Sequence, residues 1–154
     1  MEDTINLKKI INKDLMIINS QATDKDTILK ELCLLLQEKQ YINDYQSFLN
    51  DIYLREKEGV TGIGDGIAIP HGKSISVDET TVAIAVLKDE IEWETLDDQD
   101  VKVVILFAVK DTDATTTHIV LLQKVATLLA RETFIKQLKN IENKEELYDL
   151  IINS

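Results

Sequence analysis

A single cysteine, Cys33, stands in 154 residues. It leaves no intrachain disulfide and no cysteine-rich metal site. Histidine is nearly as scarce. His71 and His118 lie too far apart to form a zinc cluster with Cys33 or with each other. Basic residues are outnumbered, 17 Lys and Arg against 28 Asp and Glu, for a net charge of −11. A phosphate backbone or an anionic bilayer surface repels such a chain, which excludes nucleic-acid binding and electrostatic membrane attachment. Long apolar runs are missing too. The longest, Val103 to Val109, falls far short of the roughly 20 residues that span a bilayer. Met1-Glu2-Asp3-Thr4 carries acid where a signal peptide carries base, and no apolar stretch follows. What remains is ordinary for a folded chain: 44% apolar and 29% charged residues. The expectation is one acidic, cytoplasmic domain over residues 1–154, with no direct membrane insertion.

Glycine and proline are rare and concentrated. All five glycines and the only proline, Pro70, fall between Gly59 and Gly72. One segment therefore holds nearly all the unusual backbone, and such loops are where sites tend to be placed. Before it the period is helical. Asp24 to Gln40 carries an apolar stripe at Ile28, Leu29, Leu32, Cys33, Leu35 and Leu36, with Thr23 or Asp24 as N-cap. Asp44 to Lys57 repeats the pattern, and Asp14 to Ile18 reads as a short first strand. After the segment, Thr80 to Leu87 and Val101 to Lys110 are β-branched apolar runs that read as buried strands. Gly66 to Pro70 reads as a third. Thr115 to Arg131 returns to helix with Ile119, Leu122, Val125, Leu128 and Leu129 on one side. Thr133 to Leu138 and Lys144 to Ile151 complete a final helical pair. Helices around a buried sheet imply an α/β layered fold, whose strand order the pattern leaves open.

Several motifs fail on spacing. Gly72-Lys73-Ser74 ends like a phosphate-binding P-loop, but the glycine that the motif needs five residues earlier is Ile67. Pro70 also removes an N–H from a loop whose purpose is to present them. A dinucleotide fingerprint fails in the same way, because its third glycine would also be residue 67. No nucleotide, cofactor or metal is expected. Cys33, set among Leu29, Leu32 and Leu36, reads as inert core.

Three residues survive as site candidates. His71 follows a predicted strand and sits between a proline that fixes its approach and a glycine that leaves its far side open. An imidazole largely unprotonated near neutral pH is a usable nucleophile; the same placement also suits a capping histidine in a turn. His118 falls in the first turn of a predicted helix, where free N–H groups favour an anion. A histidine bonded to a loop carbonyl fits there as well. Arg55, one of two arginines, ends the helix that enters the glycine segment. It offers two-pronged phosphate binding, or simply a favourable charge at a helix C-terminus.

The run from Arg55 to Lys73 closely resembles the fructose/mannitol-type enzyme IIA domain (EIIA type 2) of the bacterial phosphoenolpyruvate-dependent sugar phosphotransferase system. That family's signature is an acidic or amide residue, six free positions, then an apolar-Gly-x-x-apolar-Ala-apolar-Pro-His-Gly string. Glu56, Ile63-Gly64 and Ile67 to Gly72 match it throughout. Ile91-Glu92-Trp93 with Leu96-Asp97 and Val101 is similar to the family's stretch before its central strand, and His118 with Leu121-Leu122 and Leu128-Leu129 to its second-histidine helix. Val60 departs from the serine that many members carry.

The resemblance implies a mixed β-sheet flanked by helices on both sides. It implies that His71 is phosphorylated on Nε2 by phospho-HPr, a carrier protein. His71 then passes the phosphoryl group to a IIB domain, usually to a cysteine, serving indirectly a membrane IIC sugar permease. It makes His118 the residue that stabilises the phosphoryl group and Arg55 the one that supports it, with no metal or cofactor. The site would sit in a shallow depression, with Gly59 to Gly66 letting partner surfaces approach. Two other readings stand beside it: a nitrogen-type regulatory enzyme IIA with the same motif, and a non-catalytic interaction module.

Overall fold

Six strands form one mixed sheet, and the alternation of side chains along its two longest strands builds a core on each face. The computed structural model describes residues 10–112 and 115–154, with backbone alone at 115–118. The strands are β1 (Met16–Ser20), β2 (Gly62–Gly64), β3 (Ile67–Ala68), β4 (His71–Ser74), β5 (Thr81–Ile91) and β6 (Val101–Lys110). The helices among the described residues are α1 (Lys25–Glu38), α2 (Tyr45–Glu56), α3 (Thr115–Leu129), α4 (Glu132–Lys139) and α5 (Lys144–Ile152), with a 3-10 turn at Lys13–Leu15. None of these helices is long and apolar enough to cross a membrane.

The strand order is β1-β5-β6-β3-β2, and β4 also pairs with β6. β5 and β6 run antiparallel, while β1 lies parallel to β5, and β3 and β4 lie parallel to β6. Along β6, Val104, Leu106 and Ala108 join Ala83, Ala85 and Leu87 of β5 under α1 and α2. Val103, Ile105, Phe107 and Val109 join Val82, Ile84 and Val86 on the other face, under α3, α4 and α5. Period-two alternation with apolar residues on both faces is what a sheet covered by helices on both sides requires.

The first two helices follow their sequence signals closely. Asp24 accepts from the Thr27 N–H at 2.8 Å and caps α1, while Asp44 caps α2 through the N–H groups of Gln46 and Ser47. A cap contributes ~1 kcal/mol, and each buried Leu or Ile about 1.5–3 kcal/mol. The five buried residues of α1, Ile28, Leu29, Leu32, Cys33 and Leu36, therefore hold it on the sheet more than its cap does. Burial pushes the Cys33 thiol up to about 12, so it stays a protonated core residue.

The strands depart further. β1 begins at Met16, because Asn12 accepts from the Asp14 N–H and turns residues 13–15 into a 3-10 helix. β5 runs past Leu87 to Ile91 although Lys88, Asp89 and Glu90 are exposed, which hides the extension from an apolar count. The expected strand from Gly66 to Pro70 is broken at Ile69-Pro70, since proline has no N–H for the ladder. β3 and β4 nevertheless keep one register along β6: Ile67 opposes Val103, and His71 opposes Phe107. On α3, Leu121, Val125, Leu128 and Leu129 are buried, but Ile119 is 45% exposed.

Candidate active site

The glycine segment is mostly regular structure. β2 and β3 form a hairpin across Asp65-Gly66, both with positive φ (57° and 82°), the conformation of a type I′ turn. Asp-Gly between apolar residues signals such a turn in sequence. Gly62 lies against the segment after β5: a Cβ there would stand 2.3 Å from Thr95 Cγ2 and 2.6 Å from the Glu94 carbonyl oxygen. Gly72 does the same for α2, with a Cβ 2.9 Å from Phe48 Cε1. These two glycines serve internal close packing, not the approach of partner surfaces.

Close packing of α2 on β4 brings two of the three candidates together. His71 opens β4 and is half-buried. Arg55 lies in the last turn of α2. Its Nε–H donates to His71 Nε2 at 3.0 Å, and its Nη1 donates to the Gly59 carbonyl at 3.2 Å. On the other ring edge, His71 Nδ1 lies 3.1 Å from the Ile69 carbonyl oxygen. A guanidinium only donates and a carbonyl only accepts. Both contacts are hydrogen bonds in one form of the ring only: neutral, with the proton on Nδ1 and the lone pair on Nε2. Burial holds the His71 pKa below its ordinary value and the Arg55 charge adds to this, against the Ile69 bond and the Glu56 and Glu58 carboxylates. The ring of Phe107 meets the imidazole edge-on at 6.3 Å. Phe107 belongs to the same core as Leu121 and Val125 of α3, the helix whose first turn holds His118. The side chain of His118 lies outside the described residues.

Sequence reasoning missed the groups behind Arg55 and His71. Glu56 turns away from Arg55 and pairs with Lys25 Nζ at 2.7 Å; its side chain is only 8% exposed. It also accepts from Thr61 Oγ1 at 2.6 Å, and Trp93 Nε1 donates to the same Thr61 hydroxyl at 3.3 Å. Lys25 reaches Glu94 as well and sits over the Trp93 ring. Burial opposes its charge, but the bonds to Glu56 and Glu94 outweigh burial and raise its pKa. Glu56 opens the family signature, which marks its position without saying what it touches. The open depressions nearby are lined by Lys25, Tyr53, Glu58 and Val60 and not by His71. Among the described residues, no group of three or more His, Cys, Asp or Glu side chains could hold a metal.

A histidine with a shaped lone pair, beside an arginine with two-pronged donors, suits transfer of an anionic group. Residues 9–154 match the family model for the phosphoenolpyruvate-dependent sugar phosphotransferase system, EIIA 2. The fructose-specific EIIABC component of that system from Bacillus subtilis is 33% identical over 94% of this chain, yet the chain spans only 23% of that protein. A nitrogen regulatory protein from Escherichia coli is also 33% identical, over 99% of this chain and 93% of its own length. The crystal structure of the nitrogen regulatory protein IIA-Ntr from Neisseria meningitidis superposes with a TM-score of 0.85 at 24% identity, covering 94% of this chain and 98% of that one, which shows the shared fold. With its glycine segment, its α/β layers and its family match in agreement, the chain belongs to the EIIA 2 family of the phosphoenolpyruvate-dependent sugar phosphotransferase system.

Proposed function

We propose that this protein is a cytoplasmic phosphocarrier: His71 accepts a phosphoryl group from phospho-HPr and passes it to a IIB domain for fructose/mannitol-type sugar uptake through a IIC permease. The observation that carries this reading is the pair of contacts on the His71 ring, the Ile69 carbonyl at Nδ1 and the Arg55 Nε–H at Nε2, which together require the Nδ1–H tautomer and turn the Nε2 lone pair to Arg55. In the step, the Nε2 lone pair forms a bond to phosphorus as the donor's N–P bond breaks. The donor imidazole keeps the electron pair, and the His71 Nδ1 proton stays where it is. Such transfers are mainly positioning and charge stabilisation. As the N–P bond forms, Arg55 Nε–H exchanges Nε2 for a phosphoryl oxygen, and the guanidinium meets the dianion with two donors. His118, by resemblance, donates an N–H to the same oxygens from the start of α3.

Labelled phosphoenolpyruvate with enzyme I and HPr tests this. The wild type takes up label in an acid-labile, base-stable form, as a phosphoramidate does, and folded His71→Ala takes up none. Full uptake by His71→Ala, or an acid-stable adduct, rejects the reading. A nitrogen-type regulatory carrier is the second reading, favoured by the relative that the chain matches over nearly its whole length. The phosphorylated protein mixed with a fructose-type IIB domain separates the two: transfer supports transport, and retention of label supports regulation.

A further inference from the structure

The buried cluster around Glu56 touches both edges of the imidazole at one remove. On the Nδ1 side, the Thr61 carbonyl accepts from the Ile69 N–H at 2.9 Å, and the Ile69 carbonyl in turn holds His71 Nδ1–H. Thr61 is 2% exposed, and its hydroxyl is pinned between the Glu56 carboxylate and the Trp93 indole. On the Nε2 side, Glu56 follows Arg55 in the chain. The Glu56–Thr61 bond closes the turn whose Gly59 carbonyl takes Arg55 Nη1. One carboxylate thus anchors the turn that aims Arg55 and the residue that aims Ile69. The Lys25 ammonium balances its charge from the start of α1, and the Trp93 ring closes over that ammonium.

We infer that Glu56 and Thr61 are positioning residues for phosphoryl transfer, holding His71 in its Nδ1–H form with Nε2 turned to Arg55. The inference rests on the reading of His71 as the phosphoryl acceptor. It requires no contact between either residue and the phosphoryl group. Buried polar clusters with every member bonded specify one arrangement of what they carry. Here the carried groups are a ring and a guanidinium. Removing the Thr61 hydroxyl leaves the carboxylate and the indole N–H each short of a partner, so the turn relaxes and the ring loses its fixed acceptor.

The test compares Thr61→Val, which keeps the shape, with Thr61→Ser, which keeps the hydroxyl. Two readouts are taken: the His71 tautomer from imidazole nitrogen NMR of the unphosphorylated protein, and single-turnover phosphorylation by phospho-HPr over a range of donor concentrations. In Thr61→Val the ring shows a mixture of Nδ1–H and Nε2–H forms. The maximal rate falls about tenfold, as expected for loss of one net hydrogen bond's worth of positioning. The donor concentration for half-maximal rate stays within about twofold of wild type, since no docking group is touched. Thr61→Ser restores both tautomer and rate. Glu56→Gln, read in the same way, gives the same slowing, so that a Thr61→Val protein that does not fold leaves the test intact. A folded Thr61→Val or Glu56→Gln with the wild-type tautomer and rate overturns the inference. Wild-type protein that takes up no phosphate on His71 overturns the acceptor reading itself, and the inference with it, whatever the variants do.

Discussion

At the scale of a residue, the proposed transfer turns on one lone pair. His71 is half-buried beside a fixed positive charge, and both features favour its neutral form. A histidine whose folded pKa lies below its unfolded value binds fewer protons when folded. Its contribution to stability is therefore present above the unfolded value of about 6.5, and is lost as pH falls through the lower folded value. On the reading of His71 as the phosphoryl acceptor, the same sign applies to function, because protonation of Nε2 removes its lone pair. The His71 ring protons should titrate with a midpoint below 6.5 in an NMR pH series. The phosphorylation rate, with donor in excess, should hold from pH 8 down to that midpoint before it drops. Arg55→Met removes a charge that depresses the pKa, so the midpoint moves up. A wild-type midpoint above 6.5, or an unmoved midpoint in Arg55→Met, contradicts the geometry.

At the scale of elements, the short strands of the glycine segment depend on approach distances that a Cβ would close. Gly62 faces the Glu94 carbonyl oxygen and Thr95, and its own carbonyl accepts from the Leu96 N–H. In Gly62→Ala the new methyl meets backbone, which cannot swing aside, and the cost should be about 1–3 kcal/mol, the range of overpacking. Gly59 has nothing within 4 Å of where its Cβ would stand, and its φ lies outside the left-handed region. Gly59→Ala should therefore stabilise by about 0.4–1 kcal/mol, by narrowing the unfolded chain's freedom. Urea unfolding of the two variants beside wild type measures both. Equal effects would show that loss of a glycine's backbone freedom, and not the contact, decides.

At the scale of the molecule, the two cores share one sheet. Each of β5 and β6 sends alternate residues to both faces, so neither core persists once those strands separate. Trp93, the one tryptophan, belongs to the α1 and α2 face and reports on it by fluorescence. Leu138 is fully buried on the opposite face. Leu138→Ala should cost about 2–5 kcal/mol and should move the Trp93 transition and the far-ultraviolet circular dichroism transition by the same urea increment. A Trp93 transition left in place by that substitution would mean that the faces unfold separately.

Much of the fold was legible because its signals are local. The cap at Thr23 or Asp24, the apolar stripe of α1 and the seven-residue run inside β6 need no knowledge of what lies across from them. The same holds for the proline-histidine-glycine string, which marks His71 by chain order alone. The short strands were not legible, because β2 and β4 owe their pairing to β3 and β6 and carry too few residues to show a period. Lys88 to Glu90 hid the end of β5 for a similar reason: their strand comes from pairing, not from burial. At the site, chain order alone puts His71 after the proline and Arg55 at the end of the helix before the glycine segment. Which ring nitrogen holds the proton follows from packing alone. That depends on an acceptor at Ile69 and a donor at Arg55 meeting opposite edges of one ring. Packing also makes one cluster of Glu56, Lys25, Thr61 and Trp93. Their partners lie on α1, α2, the turn before β2 and the segment after β5, and only packing α1 and α2 onto the sheet brings those four places within hydrogen-bonding distance.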